Sequence, residues 1–267
     1  MRMLGWPALI LAGWLLMAGA GSLPWLEPER ISLPDILAPP SVDQLLGADD
    51  LGRSVLHRLL AGAQVSLVVA VVSVSISAVV GVVLGLVAGY VGGLTDRLIG
   101  RVIDVFLAFP GMLLAIAMAA MIGPGIDNVI IALSAMGWVG YARLVRVQVL
   151  ALRQREHVLA AVALGRTGPA IMTRHLLPLV LAPVWIEASF GVASAVIAEA
   201  GLSFLGLGIQ PPAASWGSMI RDGVRYLLVA PHLVLAPGLA LFLVVMAANL
   251  LGDRLRDRLD VAQRPRA

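Results

Sequence analysis

The chain has 267 residues, 60% of them hydrophobic and only 13% charged, with a mean hydropathy of +0.94 and a net charge of +3. A water-soluble chain carries about a quarter charged residues, so this composition excludes a soluble domain and fits a protein dissolved in lipid. The absence of Cys excludes disulfides, thiolate metal sites and Cys nucleophiles; all 19 basic residues are Arg, which also excludes a Schiff-base Lys and a Lys-bearing phosphate loop.

Six stretches are long and apolar enough to cross a hydrocarbon core of about 30 Å as helices. They lie at about 4–23, 64–92, 102–122, 128–146, 178–200 and 233–251. The expectation is an all-α membrane protein with six transmembrane helices and both termini cytoplasmic. Arg2 ahead of an apolar run, with Ala18-Gly19-Ala20 near its end, also suits a cleaved leader. The run is long for a leader, which favours a retained first span. With the N-terminus inside, 14 Arg residues fall on the cytoplasmic side and 5 outside, the bias that orients membrane proteins. The chain then divides into a first transmembrane helix (1–23), an extracytoplasmic segment (24–62), a transmembrane core (63–255) and a cytoplasmic tail (256–267).

In the extracytoplasmic segment five Pro residues up to Pro40 predict irregular structure, and Asp49 and Asp50, followed by Gly52 and Arg53, suit a cap ahead of the second span. That span carries Gly81, Gly85, Gly89 and Gly93, each four apart. Helices in lipid associate through close contact of small residues, so this register predicts a packing face toward another helix of the chain or of a second subunit. Pro110, next to Gly111, removes a backbone donor and predicts a kink in the third span.

Ionisable residues at membrane depth face polar interiors or pair with neighbours. Asp104 in the third span, Glu187 within the fifth and Glu199 near its outer end are therefore candidates for a translocation pathway or for structural pairing. Residues 201–232 mix Gly and Pro with large apolar residues, which predicts a compact re-entrant or interfacial segment packed on protein. Phe204, Leu205, Gln210 and Trp216 are its candidate gate residues, with a structural plug as the competing reading.

The cytoplasmic segment 147–177 is too amphipathic for a span. Helical patterning from Arg153 to Leu164 ends at Gly165, a suitable C-cap, and a second short helix can begin at Pro169 before Pro178 opens the fifth span. Ala160, Ala161 and Ala163 make the first of these helices slim, suited to insertion in a partner's groove or to rest on the lipid surface.

The run His157-Val158-Leu159-Ala160-Ala161-Val162-Ala163-Leu164-Gly165, followed by His175-Leu176-Leu177-Pro178, resembles the "EAA" loop of ABC importer permeases. Leu46–Arg53, Ser203–Pro212 with Ser215-Trp216-Gly217, and Asn249–Asp253 resemble segments of the dipeptide, oligopeptide and nickel importer permeases, in the same order. The similarity extends from about residue 46 to 260. It implies a type I importer fold and one half of a heterodimeric channel, paired with a second homologous permease. It also implies two cytoplasmic ATPases that bind ATP and Mg, an extracytoplasmic substrate-binding protein, and a bacterial inner-membrane location. The loop residues Glu156, Leu159, Ala160, Ala161, Gly165 and Pro178 would couple the spans to the ATPase. Leu159 stands where the family has Glu, with Glu156 the nearest acidic residue, and Leu179 stands where Asn is common after the proline.

The chain itself is expected to hold no cofactor, metal or catalytic residue and to bind no nucleic acid. Its cargo is expected to be a di- or oligopeptide, with nickel or another small chelate as the alternative. A secondary transporter should show repeated halves, which are not evident. A membrane-embedded enzyme should show a catalytic constellation, yet the four His residues are scattered.

Overall fold

The computed structural model describes residues 5–42 and 44–263; Arg2, Arg264 and Arg266 lie outside them. The structure is helical, and no strand occurs among the described residues. Four helical stretches are long and apolar enough to cross a membrane: Val55–Val91, Ile126–Leu152, Gly168–Phe204 and His232–Arg258. Gly93–Leu107 and Gly111–Ile122 form a fifth candidate only as a bent pair, and Gly5–Gly21 is a shorter apolar helix.

The first helix, α1 (Gly5–Gly21), lies against α2 (Val55–Val91) and buries Trp14 and Ala18. Its Trp14 indole N–H donates to the Ala63 carbonyl at 3.2 Å, which satisfies the ring's one polar atom. Between these helices Asp49 organises the chain. One of its oxygens accepts from the backbone N–H groups of Leu51 and Arg53, at 2.9 Å each. The other takes Arg53 Nε at 2.8 Å and Arg58 Nε at 3.3 Å. The residue that caps α2 is Ser54, whose Oγ accepts from His57 N, so the expected cap at Asp49 and Asp50 is corrected. Asp49 has its oxygens committed to the turn and to two guanidinium groups.

At 37 residues α2 is about 55 Å long, more than a straight crossing needs. It starts at Val55, earlier than the span expected from residue 64, and packs along α5 (Ile126–Leu152). The third span departs from expectation. Instead of one kinked helix over 102–122, α3 (Gly93–Leu107) and α4 (Gly111–Ile122) meet at 85°. Pro110 supplies no N–H and disfavours helix at Phe109, so the helix stops at Leu107 and restarts beyond the proline. The amphipathic α3 turns Ile103 into the core while Leu94, Leu98, Val102 and Val105 remain exposed along it. Ile103 meets Trp138, Val139 and Ala142 of α5, and Phe106 stands edge-on to Trp138 at 5.4 Å. Asp96 and Arg146 form a two-point ion pair between α3 and α5, with Arg146 Nη2 2.9 Å from Asp96 Oδ2.

Beyond α5 come α6 (Glu156–Ala163), α7 (Gly168–Ile171) and α8 (Leu177–Phe204). The second short helix of the cytoplasmic segment is continuous with the fifth span, through a π-type turn at Met172–Leu176. The widened turn lies just before Pro178, whose ring would crowd the carbonyl four residues back in a regular α-helix. A short helix, α9 (Trp216–Val224), and the long α10 (His232–Gln263) complete the fold. The helix of α10 runs past residue 255, so the expected tail begins as helix.

Candidate coupling loop and translocation cavity

The candidate coupling loop is built from both ends. Arg153 closes α5, and its Nη1 donates to the Gly89 carbonyl of α2 at 3.1 Å, tying the loop's entry to the C-terminal end of the longest helix. From Glu156, α6 buries Val158 and Ala161 in a core with Ile171, Leu176 and Val180, residues of the stretch that leads into α8. Its other face is exposed: Leu159 by 54%, Val162 by 51% and Leu164 by 83%. Glu156, Ala160 and Gly165 are also exposed, whereas Ala161 is buried, so the expected loop residues divide between anchor and free face.

Gly165 ends α6 by a specific geometry. Its φ is +76°, its N–H donates to the Val162 carbonyl at 2.9 Å, and Arg166 N donates to the Ala161 carbonyl at 3.1 Å. This pair of bonds closes the helix through a left-handed residue, which Gly adopts without a Cβ penalty. A Cβ at Gly165 would meet nothing within 4 Å, so the requirement there is conformational and not spatial.

Above the loop, α2 and α5 form a seam. A Cβ on Gly81 would lie 2.5 Å from the Trp138 carbonyl oxygen, one on Gly85 2.6 Å from that of Ala142, and one on Gly89 2.8 Å from Val149 Cβ. The packing face is therefore within the chain. Gly93 does not belong to it: it has φ +58° and open space around it, and it serves the turn into α3.

Toward the start of α2 the same face carries Ser77 and Ser73; Ser77 still packs on Gly137 of α5, and both serines border a cleft of about 580 Å³. Ser73 and Ser77 of α2, Met112 and Ala115 of α4, Gly137 and Tyr141 of α5, and Glu187, Gly191 and Ser194 of α8 line it. Glu187 is the one charged residue of the lining among the described residues. Its carboxylate lies beside α5, 3.5 Å from where a Cβ on Gly140 would stand. Tyr141 is 4% exposed, and its buried hydroxyl has no hydrogen-bond partner among the described residues.

The remaining candidates lie elsewhere. Asp104 is exposed on α3 and outside the cleft lining. Glu199 is 0% exposed and accepts from Ser66 Oγ of α2 at 3.0 Å and from Ser203 Oγ at 2.8 Å. Ser203 Oγ in turn accepts from Ile209 N at 3.4 Å, so Glu199 joins α2, α8 and the segment after α8. That segment is compact, as expected: Ile209, Ala214, Trp216 and Met219 are buried, and Gly125 N donates to the Gly208 carbonyl. Trp216 is fully buried, donates from its indole to the Leu59 carbonyl at 3.0 Å and neighbours Trp14, which makes it an anchor. Phe204 and Leu205 are exposed, and exposed Gln210 donates to the Gly206 carbonyl at 2.9 Å.

Tyr141, Ser73, Ser77 and Ser194 were not singled out in the sequence. The stripe of small residues held the signal for two of them, since Ser73 and Ser77 precede Gly81 at the same four-residue register. Tyr141 carried none, because its hydroxyl acquires meaning only from α8 beside it.

This bundle of long apolar helices with an internal cleft is that of a polytopic membrane protein, and sequence comparison gives its family. Residues 81–264 match the binding-protein-dependent transport system inner membrane component family. The chain belongs to that family and is a permease subunit of an ABC importer. It is 47% identical over 221 residues to the glutathione transport system permease protein GsiD of Shigella flexneri serotype 5b (strain 8401), covering 83% of this chain and 73% of that one. The protein of the same name from Escherichia coli O157:H7 is 46% identical over the same coverage. Among solved structures, the inward-facing MetNI methionine ABC transporter superposes with a TM-score of 0.61 over 75% of this chain and 95% of its own, at 20% identity. A second crystal form of it gives 0.59 over 74% and 95%, at 21% identity. Membership of this family implies a multi-pass inner-membrane protein that works with ATPase subunits and a substrate-binding protein.

Proposed function

We infer that this chain is one half of a heterodimeric channel importing small peptide-like cargo and that α6 is its coupling helix, docked in a cleft of a cytoplasmic ATPase. The observation that carries this reading is the division of α6 into two faces. Val158 and Ala161 anchor it to the helical stretch that continues into α8, while Leu159, Val162 and Leu164 face outward and are exposed among the described residues. A helix fixed on one side and apolar on the other can pass a push from a partner to a long membrane helix. Leu159 in place of the family's Glu makes the central contact apolar, with Glu156 one turn earlier as the acidic contact. ATP and Mg would be bound by the partner subunits.

In this reading α1, α2, the bent α3–α4 pair, α5, α8 and α10 make six crossings with both termini inside. The Arg distribution supports that orientation. α3 lies along the inner interface, where its exposed apolar stripe meets lipid. The segment after α8 then forms part of the outer gate, with Phe204 and Leu205 available to a partner. Peptide-like cargo is supported by the relatives, which are glutathione permeases.

The test is co-expression with the chromosomal neighbours, mild-detergent pull-down, and ATP-driven uptake of glutathione and of dipeptides in vesicles. The expected result is recovery of a second permease and ATPase subunits, with uptake of at least one of these cargoes. Gly165→Asp should leave the chain inserted but abolish uptake. Normal uptake by Gly165→Asp contradicts the coupling role.

A further inference from the structure

The cleft between α2, α4, α5 and α8 is apolar over most of its wall. Glu187 is its one carboxyl group, and no Arg or His lines the cleft among the described residues. The hydroxyl of Ser73 donates to the Val69 carbonyl at 2.6 Å and that of Ser77 to the Ser134 carbonyl at 3.5 Å. Their donors are thus spent on backbone, and their lone pairs remain as acceptors. The Tyr141 hydroxyl, buried and without a partner, lies where a Cβ on Gly191 would approach it to 2.6 Å, so it is held between α5 and α8.

We propose that Glu187 receives the ammonium group of a cationic or zwitterionic cargo in this cleft. An ammonium has three donors and no acceptor, which suits one carboxylate beside the acceptor oxygens of Ser73 and Ser77. A carboxylate or phosphate would find no cationic side chain there and would be repelled by Glu187. The volume of about 580 Å³ falls within the range of small-molecule sites, so it holds a compact cargo whose other end faces the open side of the cleft. The proposal rests on the permease reading and adds a specificity-determining residue to it.

The chain has no Cys, which allows a test independent of cargo identity. Ser194→Cys and, separately, Ala198→Cys place a thiol in the cleft wall. In vesicles bearing the complete transporter, each is labelled with methanethiosulfonate ethyltrimethylammonium and with methanethiosulfonate ethylsulfonate, and rates are normalised to a free thiol. The expected result is about a tenfold preference for the cationic reagent, the scale on which a charged cleft concentrates counter-ions. Adding Glu187→Gln should reduce the preference to near unity. A preference unchanged by Glu187→Gln overturns the proposal, and so does failure of both thiols to react, which means lipid or the second permease fills the cleft. Uptake measured in the same vesicles separates the two readings. Uptake without charge preference sinks only this proposal; charge preference without any uptake sinks only the importer reading.

Discussion

Two halves of one helix surface behave differently. Along the inner half of α2, Gly81, Gly85 and Gly89 let α5 approach until backbone carbonyls stand where side chains would be. Along the outer half, Ser77 and Ser73 continue the same register, yet they border a cleft. A stripe of small residues therefore encodes two things. Without a Cβ it closes a seam, which lipid cannot drive by hydrophobic burial. With a hydroxyl it keeps the surface slim but polar, and it borders the cleft to which α5 brings Tyr141 and α8 brings Glu187 and Ser194. The closed seam also lies above the cytoplasmic loop, where Arg153 reaches the Gly89 carbonyl.

The comparison breaks most severely at the seam. Gly85→Leu forces a side chain against the Ala142 carbonyl and Val145, and it should destabilise the chain by about 3 kcal/mol. The check is the thermal aggregation midpoint of the detergent-solubilised complex, which should fall sharply. Gly93→Ala tests the claim that this glycine serves a turn and not the seam. With φ +58° and open space around it, it should cost about 1.5 kcal/mol through backbone conformation alone. At that position Asn should be tolerated better than Val, because Asn enters left-handed backbone more readily. Trp216→Phe keeps one aromatic ring but removes the bond to the Leu59 carbonyl and leaves a small cavity at a fully buried site, for at least about 1 kcal/mol by the same assay. The smallest effect belongs to Asp96→Asn, at about 0.5 kcal/mol, because the pair with Arg146 is partly solvated. A double-mutant cycle with Arg146→Gln should show the two changes failing to add.

Much of this was legible because hydrophobic runs and small-residue spacing are local signals. The apolar runs located the long helices, the four-residue glycine register located the seam, and Gly165 marked the end of α6. The bend at Pro110 was only half legible. Proline announced an interruption, but the 85° turn follows from α3 being amphipathic while α4 is apolar throughout, and hydropathy averaged over 102–122 blurs them. Helix starts at the outer side were missed for another reason: α2 begins at Val55 because Ser54 caps it beside a turn built by Asp49, a tertiary arrangement with no periodicity. Among candidate site residues, Glu187 stood deeper in its span, while Glu199, like Asp104, stood near a membrane interface. The structure parts them, since Glu199 is enclosed by Ser66 and Ser203 whereas Glu187 borders the cleft. Trp216 looked like a gate from its neighbours and proves to be a buried anchor, because its indole finds a carbonyl on α2.

The central claim is that the exposed face of α6 transmits the action of an ATPase. Leu159→Asp tests it most directly, since Leu159 is exposed and lies outside the buried core that anchors the helix. The complex carrying this change should insert normally but lose co-purifying ATPase, and ATP-driven uptake should fall at least about tenfold, equivalent to about 1.4 kcal/mol of lost docking free energy. Retention of both the ATPase and full uptake would contradict the account.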